Sequence, residues 1–205
     1  MKKTLLSLMG LCIPIFLFAQ NPQPKDRDYR ILQMNRKFKP DKGFRADDQL
    51  SKRDSRNPNR VKYQKGNYFL IQFNELPGAA VKAQLQSLGV KLLDYVPYYA
   101  YYAHLKQEIS SDQFAALNIR TVMPVEERFK LAESIYKNNI PRHALKGQNI
   151  ELEITFFEGA DLQAAEKLIN RTATIKAKLN SKNWVISIAL NQVKSLAAIK
   201  EIKFI

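Results

Sequence analysis

The chain has 205 residues, 45% of them hydrophobic and 25% charged, with a formal net charge of +14. That is enough apolar sequence for one medium domain or two small ones, and it excludes a chain that is disordered throughout. The only cysteine is Cys12, which excludes intramolecular disulfides from the start.

Residues 1–19, MKKTLLSLMGLCIPIFLFA, carry a positive start, an apolar run from Leu5 to Phe18 broken by Pro14, and a small residue at Ala19. The run is too short for a comfortable span of about 20 residues, and the pattern predicts a signal peptide cleaved after Ala19. Leu11 before Cys12 rules out a lipoprotein signal. Cys12 then leaves with the leader, so the exported chain, periplasmic or extracellular, has no thiolate nucleophile and no cysteine metal site.

Residues 20–66 are polar and lack sustained periodicity. They carry 14 Lys and Arg against 6 Asp and Glu, whereas residues 67–205 carry 17 against 13. The basicity therefore belongs to this stretch, and its composition predicts a disordered basic tail. Its aromatics are not interleaved with the cations as a base-stacking platform requires, so no nucleic-acid partner is expected. No membrane partner is expected once the signal is removed.

From Tyr68 the pattern changes. YFLIQF (68–73) predicts a strand, and Leu76-Pro77-Gly78 a turn and helix start. AAVKAQLQSLG (79–89) puts Val81, Leu85 and Leu88 on one helical face, with Gly89 as the stop. VKLLDYV (90–96) and AYYAHL (100–105) predict two strands around a turn at Pro97. SSDQFAAL (110–117) is a short helix and IRTVMPV (119–125) a last strand. EERFKLAESIYKNNIPRHALKGQ (126–148) is expected to be a packed linker, because Phe129, Leu131, Ile135 and Tyr136 need cover.

The same order recurs over 149–205: strand IELEITF, helix GADLQAAEKLIN, strands TATIKAKL and WVISIAL around NSKN, helix NQVKSLAAI and strand KEIKFI. Aligning Leu105 with Leu190 sets Tyr101 beside Ile186 and Tyr102 beside Ser187 without a gap. The expected fold class is therefore α+β, with two tandem ferredoxin-like βαββαβ sandwiches over 67–125 and 149–205. Each is small enough to be marginal on its own.

The arrangements of residues that carry catalysis are missing. His104 and His143 have no second histidine at metal-ligand spacing. No nucleophile elbow and no phosphate-cradling glycine loop occur. Asp26, Asp28, Asp47 and Asp48 lie in the polar stretch, where a solvated role is expected. Asn170-Arg171-Thr172 is a formal glycosylation sequon at a helix–strand junction. No enzyme activity, cofactor or metal is expected of the chain.

YFLIQFNELPGAAVKAQLQSLGVKLLDYVPYYAYYAHL resembles the N-terminal pro-region of secreted bacterial subtilisin-like serine proteases, of the fervidolysin-like type. The likeness rests on the strand ending in Gln-Phe, the helix closing on Leu-Gly-Val, and Leu-Leu-Asp-Tyr-Val-Pro. FKLAESI and FFEGADLQAAEKLI resemble the tandem form of that region, so the likeness covers 67–205. The family's catalytic settings (Asp-Thr-Gly, His-Gly-Thr, Gly-Thr-Ser) do not occur, and the chain stops at Ile205 without the tail that threads the protease's active site. The resemblance implies a precursor cut short before its catalytic domain, acting as intramolecular chaperone and temporary inhibitor of that protease in cis.

In the strand 100–105 both sides carry apolar or aromatic bulk, so both sheet faces expect cover. Tyr101, Ala103 and Leu105 are assigned to the helices. Ala100, Tyr102 and His104 are assigned to an open face that docks the protease. The alternative is a free-standing exported module that binds a peptide or protein through that face.

Overall fold

The computed structural model describes residues 29–33, 36–44 and 51–205. The expected signal peptide, its cleavage point after Ala19, and residues 20–28 lie outside the described residues. Among those described the protein is mixed α+β, mostly sheet with short helices, and no helix is long and apolar enough to cross a membrane.

Strands β1 (Ile31–Gln33) and β2 (Arg36–Phe38) pair antiparallel, β3 (Gly43–Phe44) follows, and β4 (Ser51–Asp54) and β5 (Asn57–Tyr63) form a hairpin. Over the described residues 29–33, 36–44 and 51–66 these strands correct the expectation of a disordered tail. The segment has no amphipathic period of its own, yet Ile31, Val61 and Tyr63 are buried in cores built by later residues. Burial against a preformed surface supplies what local pattern could not.

The first repeat runs β6 (Tyr68–Phe73), α1 (Ala79–Ser87), β7 (Val90–Val96), β8 (Ala100–Leu105), β9 (Ile109–Ser110), α2 (Ser111–Ala115) and β10 (Ile119–Pro124). Its sheet has the order β3-β10-β6-β8-β7, antiparallel except for the parallel β3–β10 pair. Strands β4, β5 and β9 make a separate small sheet. All six residues of β6 are buried, the mark of a strand covered on both faces. On the helix side Phe69, Ile71, Leu85, Leu105 and Phe114 pack with Tyr63. The three-residue β7–β8 turn, Pro97 to Tyr99, holds Tyr98 and Tyr99 at φ of 70° and 65°, in the left-handed region. Nearby bonds hold it there: Gln72 Nε2 donates to the Tyr98 carbonyl at 3.0 Å, and the Phe73 amide donates to that of Tyr99 at 2.9 Å.

Residues 126–148 contribute α3 (Glu127–Lys130), α4 (Glu133–Tyr136) and β11 (Leu145–Lys146). Phe129 packs on the first repeat, while Leu131 and Ile135 enter the core of the second. The end of the chain is stitched to this segment: the Ile205 amide donates to the Lys130 carbonyl at 2.7 Å, and the Ala132 amide to that of Ile205 at 2.8 Å.

The second repeat runs β12 (Asn149–Phe156), α5 (Leu162–Ile169), β13 (Ala173–Lys178), β14 (Asn183–Ala189), α6 (Val193–Ala197) and β15 (Ile202–Phe204). In both repeats the fourth main strand pairs with the first, the first with the third, and the third with the second, all antiparallel. Ile150, Ile154, Trp184, Ile186 and Ile188 turn to α5 and α6 and form one core with Ile169 and Leu196.

Candidate partner-binding face

Register decides which side chains share a face. Across β6 and β8, Tyr68 pairs with His104, Leu70 with Tyr102 and Gln72 with Ala100. These six lie opposite the helices. The face assigned from sequence to an open docking surface is therefore a real set, but it is not open. Ala100 is 0% and Tyr102 2% exposed, and His104 is half-buried.

The cover comes from the chain itself, from three separate places. Ile31 and Phe38 arrive from the N-terminal ribbon, Phe129 from α3, and Phe157 and Phe204 from the second repeat. Phe38 stacks on Phe129 with centroids 4.3 Å apart, and Phe157 stacks on Tyr68 at 4.2 Å. Tyr102 meets Phe157 and Phe204 edge-on, Lys203 Nζ lies 5.3 Å from its ring centre, and its hydroxyl accepts a bond from Gln33 Nε2. Burial pushes the Tyr102 phenol above its ordinary range. His104 packs against the Tyr68 ring at 4.8 Å. Burial lowers its pKa, and the charges of Lys200, Lys106 and Lys91 lower it further.

A buried polar network ties the N-terminal segment down. Gln72, fully buried on β6, donates through Nε2 to the Tyr29 carbonyl at 2.9 Å. Arg120 on β10 donates through Nη1 to the Pro40 carbonyl at 2.9 Å and to Gln72 Oε1 at 3.0 Å, with its guanidinium 4.6 Å from the centre of the Tyr29 ring. Thr121 Oγ1 donates to the Gly43 carbonyl at 2.6 Å. An Arg120→Ala change leaves these acceptors without their charged donor, and is expected to cost about 2 kcal/mol in urea unfolding. It is also expected to make residues 29–44 the first site of limited proteolysis; unchanged stability and unchanged cleavage would show that the network does not hold the segment.

The second repeat is different. β12 alternates strictly, Ile150, Leu152, Ile154 and Phe156 against Glu151, Glu153 and Thr155. The outward set pairs Glu151 with Ser187 and Glu153 with Val185, while Thr174 of β13 lies beside Ser187. Glu151, Glu153 and Thr174 are exposed, and Val185 and Ser187 are half-exposed. Lys146 Nζ, 2.9 Å away, holds the Glu151 carboxyl below its usual range. Sequence reasoning expected an open face on the first repeat, where the chain itself covers it. The signal that could have corrected it was this alternation, since a sheet with one polar face needs no second cover.

The two histidines lie far apart in the fold's element order. His104 lies on β8 and His143 in the single helical turn 142–144. Among the described residues no group of three or more His, Cys, Asp or Glu is placed to hold a metal ion.

A family model described as Domain of unknown function (DUF8729) matches residues 16–126, more than half of the chain. The match joins the N-terminal segment to the first repeat and ends at the start of the linker. No curated protein and no solved structure matches the chain.

Proposed function

We propose that this chain, which belongs to the DUF8729 family, performs no chemistry of its own and works as an exported pro-region-type module of a subtilisin-like serine protease. In this reading the two repeats are a tandem of ferredoxin-like sandwiches, supported by their shared order of elements and of strand pairs. The module docks on the protease, assists its folding and blocks its cleft until it is removed.

One observation carries the choice of docking surface. The first repeat has both sheet faces filled by the chain, while the second keeps one face uncovered among the described residues, with Glu151, Glu153, Thr174, Val185 and Ser187 outward. A sheet face that carries carboxylates suits helix N-termini on a partner's surface, where negative charge is favoured. It replaces Ala100, Tyr102 and His104 as the contact surface. The first repeat then serves as the body that holds the second.

The test is steady-state and progress-curve inhibition of a subtilisin-like protease by the full chain. Slow, transient inhibition is expected, and a Glu153→Arg/Val185→Glu double variant should weaken it at least about tenfold while its melting temperature stays put. Cleavage of the chain as an ordinary substrate without inhibition would overturn the pro-region reading in favour of the free-standing binding module. Undiminished inhibition by the double variant would overturn the choice of face.

A further inference from the structure

A groove of about 750 Å³ runs between the two repeats. Its floor comes from the second repeat and is apolar. Ala164 and Leu168 lie one turn apart on α5, and Ala198 and Ile199 follow α6. Leu168 is 37% exposed, a large aliphatic side chain left open to solvent. The opposite wall is Tyr68 and His104, direct neighbours across β6 and β8. Alanines on the floor leave space that larger side chains would fill, and the volume lies in the range of small-ligand sites.

The charged groups at the rim are not balanced in what they offer. Of the two acids, Asp161 Oδ1 accepts the Ala164 amide at 3.0 Å, and Glu201 is 3% exposed with Oε1 4.0 Å from Lys200. Arg171 and Lys200 are exposed. Lys200 Nζ donates to the Gly66 carbonyl at 3.0 Å, which fixes the ammonium at the first repeat's edge of the groove with donors to spare. At His104, burial and then the field of Lys200, Lys106 and Lys91 lower the imidazole pKa, so this end of the groove is electropositive. An uncharged imidazole still has one N–H to donate.

We propose that this groove binds a medium-chain aliphatic carboxylate, with its chain on the Ala164–Leu168–Ile199 floor and its head held by Lys200 and His104. Charge complementarity selects the anionic head, and the apolar floor selects the chain. The walls favour a single aliphatic chain over a peptide. β6 lies between β10 and β8, and β8 between β6 and β7, so neither wall strand offers a free edge to pair with a peptide backbone. Such a ligand would bridge the two repeats and stabilise their joint by mass action.

Isothermal titration of the full chain with sodium decanoate, 1-decanol and decyltrimethylammonium, all below their aggregation limits, tests this. Decanoate is expected to bind saturably at one site per chain and to raise the melting temperature. Decanol should bind about tenfold more weakly, and decyltrimethylammonium more weakly still. Lys200→Glu should cost decanoate at least about tenfold in affinity and narrow its lead over decanol. Leu168→Glu should abolish binding of all three. Leu168 is exposed, so its variant is expected to melt as the parent does; Lys200→Glu also loses the bond to the Gly66 carbonyl, and its affinity is read at a temperature where circular dichroism shows it folded. Equal affinity for the three head groups, no saturable decanoate binding, or decanoate affinity unchanged in both variants would each overturn the proposal.

Discussion

Tyr102→Asp is expected to destabilise the protein by about 4 kcal/mol or more, enough to unfold much of it at 37 °C. The side chain is 2% exposed and is enclosed by Phe157, Phe204 and Gln33. An aspartate there loses the ring contacts, which cost about 3–5 kcal/mol for a large aromatic, and leaves a carboxylate with little access to water. Lys203 Nζ, which lies over the Tyr102 ring, is already bound to Asp94 at 2.7 Å. Urea unfolding followed by circular dichroism gives the loss directly. The fluorescence of Trp184, the only tryptophan, reports the second repeat separately. Because Phe157 and Phe204 belong to that repeat, its transition should shift with the first. A variant as stable as the parent would mean that the face is free after all, and would return it to candidacy as a docking surface.

Lys130 is expected to give the protein an unusual pH profile, with stability rising from about pH 8 to pH 10. The side chain is 4% exposed, its Nζ donates to the Ile199 carbonyl at 2.9 Å, and burial lowers its pKa from 10.5 to about 8 against the opposing charges of Glu127 and Glu201. Below pH 8 both folded and unfolded chains carry this proton, and the folded state bears the full cost of the buried charge. Between 8 and 10.5 the folded chain has shed the proton while the unfolded chain keeps it. The unfolded state then binds more protons, so stability increases with pH. The displacement corresponds to about 3 kcal/mol in all.

The buried tyrosines act in the opposite sense. Burial raises the pKa of Tyr63 and Tyr102 and lifts that of Tyr68 to about 12. Their unfolded forms ionise first, so stability falls as pH climbs above 10. The window from 8 to 10 therefore isolates Lys130. Lys130→Met should add about 2 kcal/mol at pH 7, less than the full 3 because the Ile199 carbonyl loses its donor. It should also remove the slope between pH 8 and 10. A parent profile that is flat over that window would show that Lys130 is not charged in a dry site.

Much of the chain was legible because it is local. The apolar run YFLIQF, the alternation of NIELEITF, and the caps and stops around 79–89 and 159–170 are written within one element each, and periodicity over a few residues is what orients side chains. The alternation in 100–105 separated Tyr101, Ala103 and Leu105 from Ala100, Tyr102 and His104, and the structure puts those two sets on opposite faces. The demand for cover on both faces was also present in the sequence.

What supplies that cover is not local, and only the tertiary structure decided it. Gln33 reaches Tyr102 across 69 positions, and Arg120 reaches Pro40 across 80. Ile31, Phe38 and Val61 look like isolated apolar residues in a charged stretch, since nothing near them in sequence repeats. Their burial exists only once β6, β8 and β10 have made a surface to receive them, so composition alone gave a tail where the chain has a cover. The same asymmetry moved the candidate docking face. The sequence determined that the first repeat's sheet is apolar on both sides and the second's on one. The three-dimensional fold decided that the chain fills the first itself and, among the described residues, leaves the second repeat's polar face uncovered. Apolar surface is hidden by whatever segment comes within reach, and reach is a property of the fold.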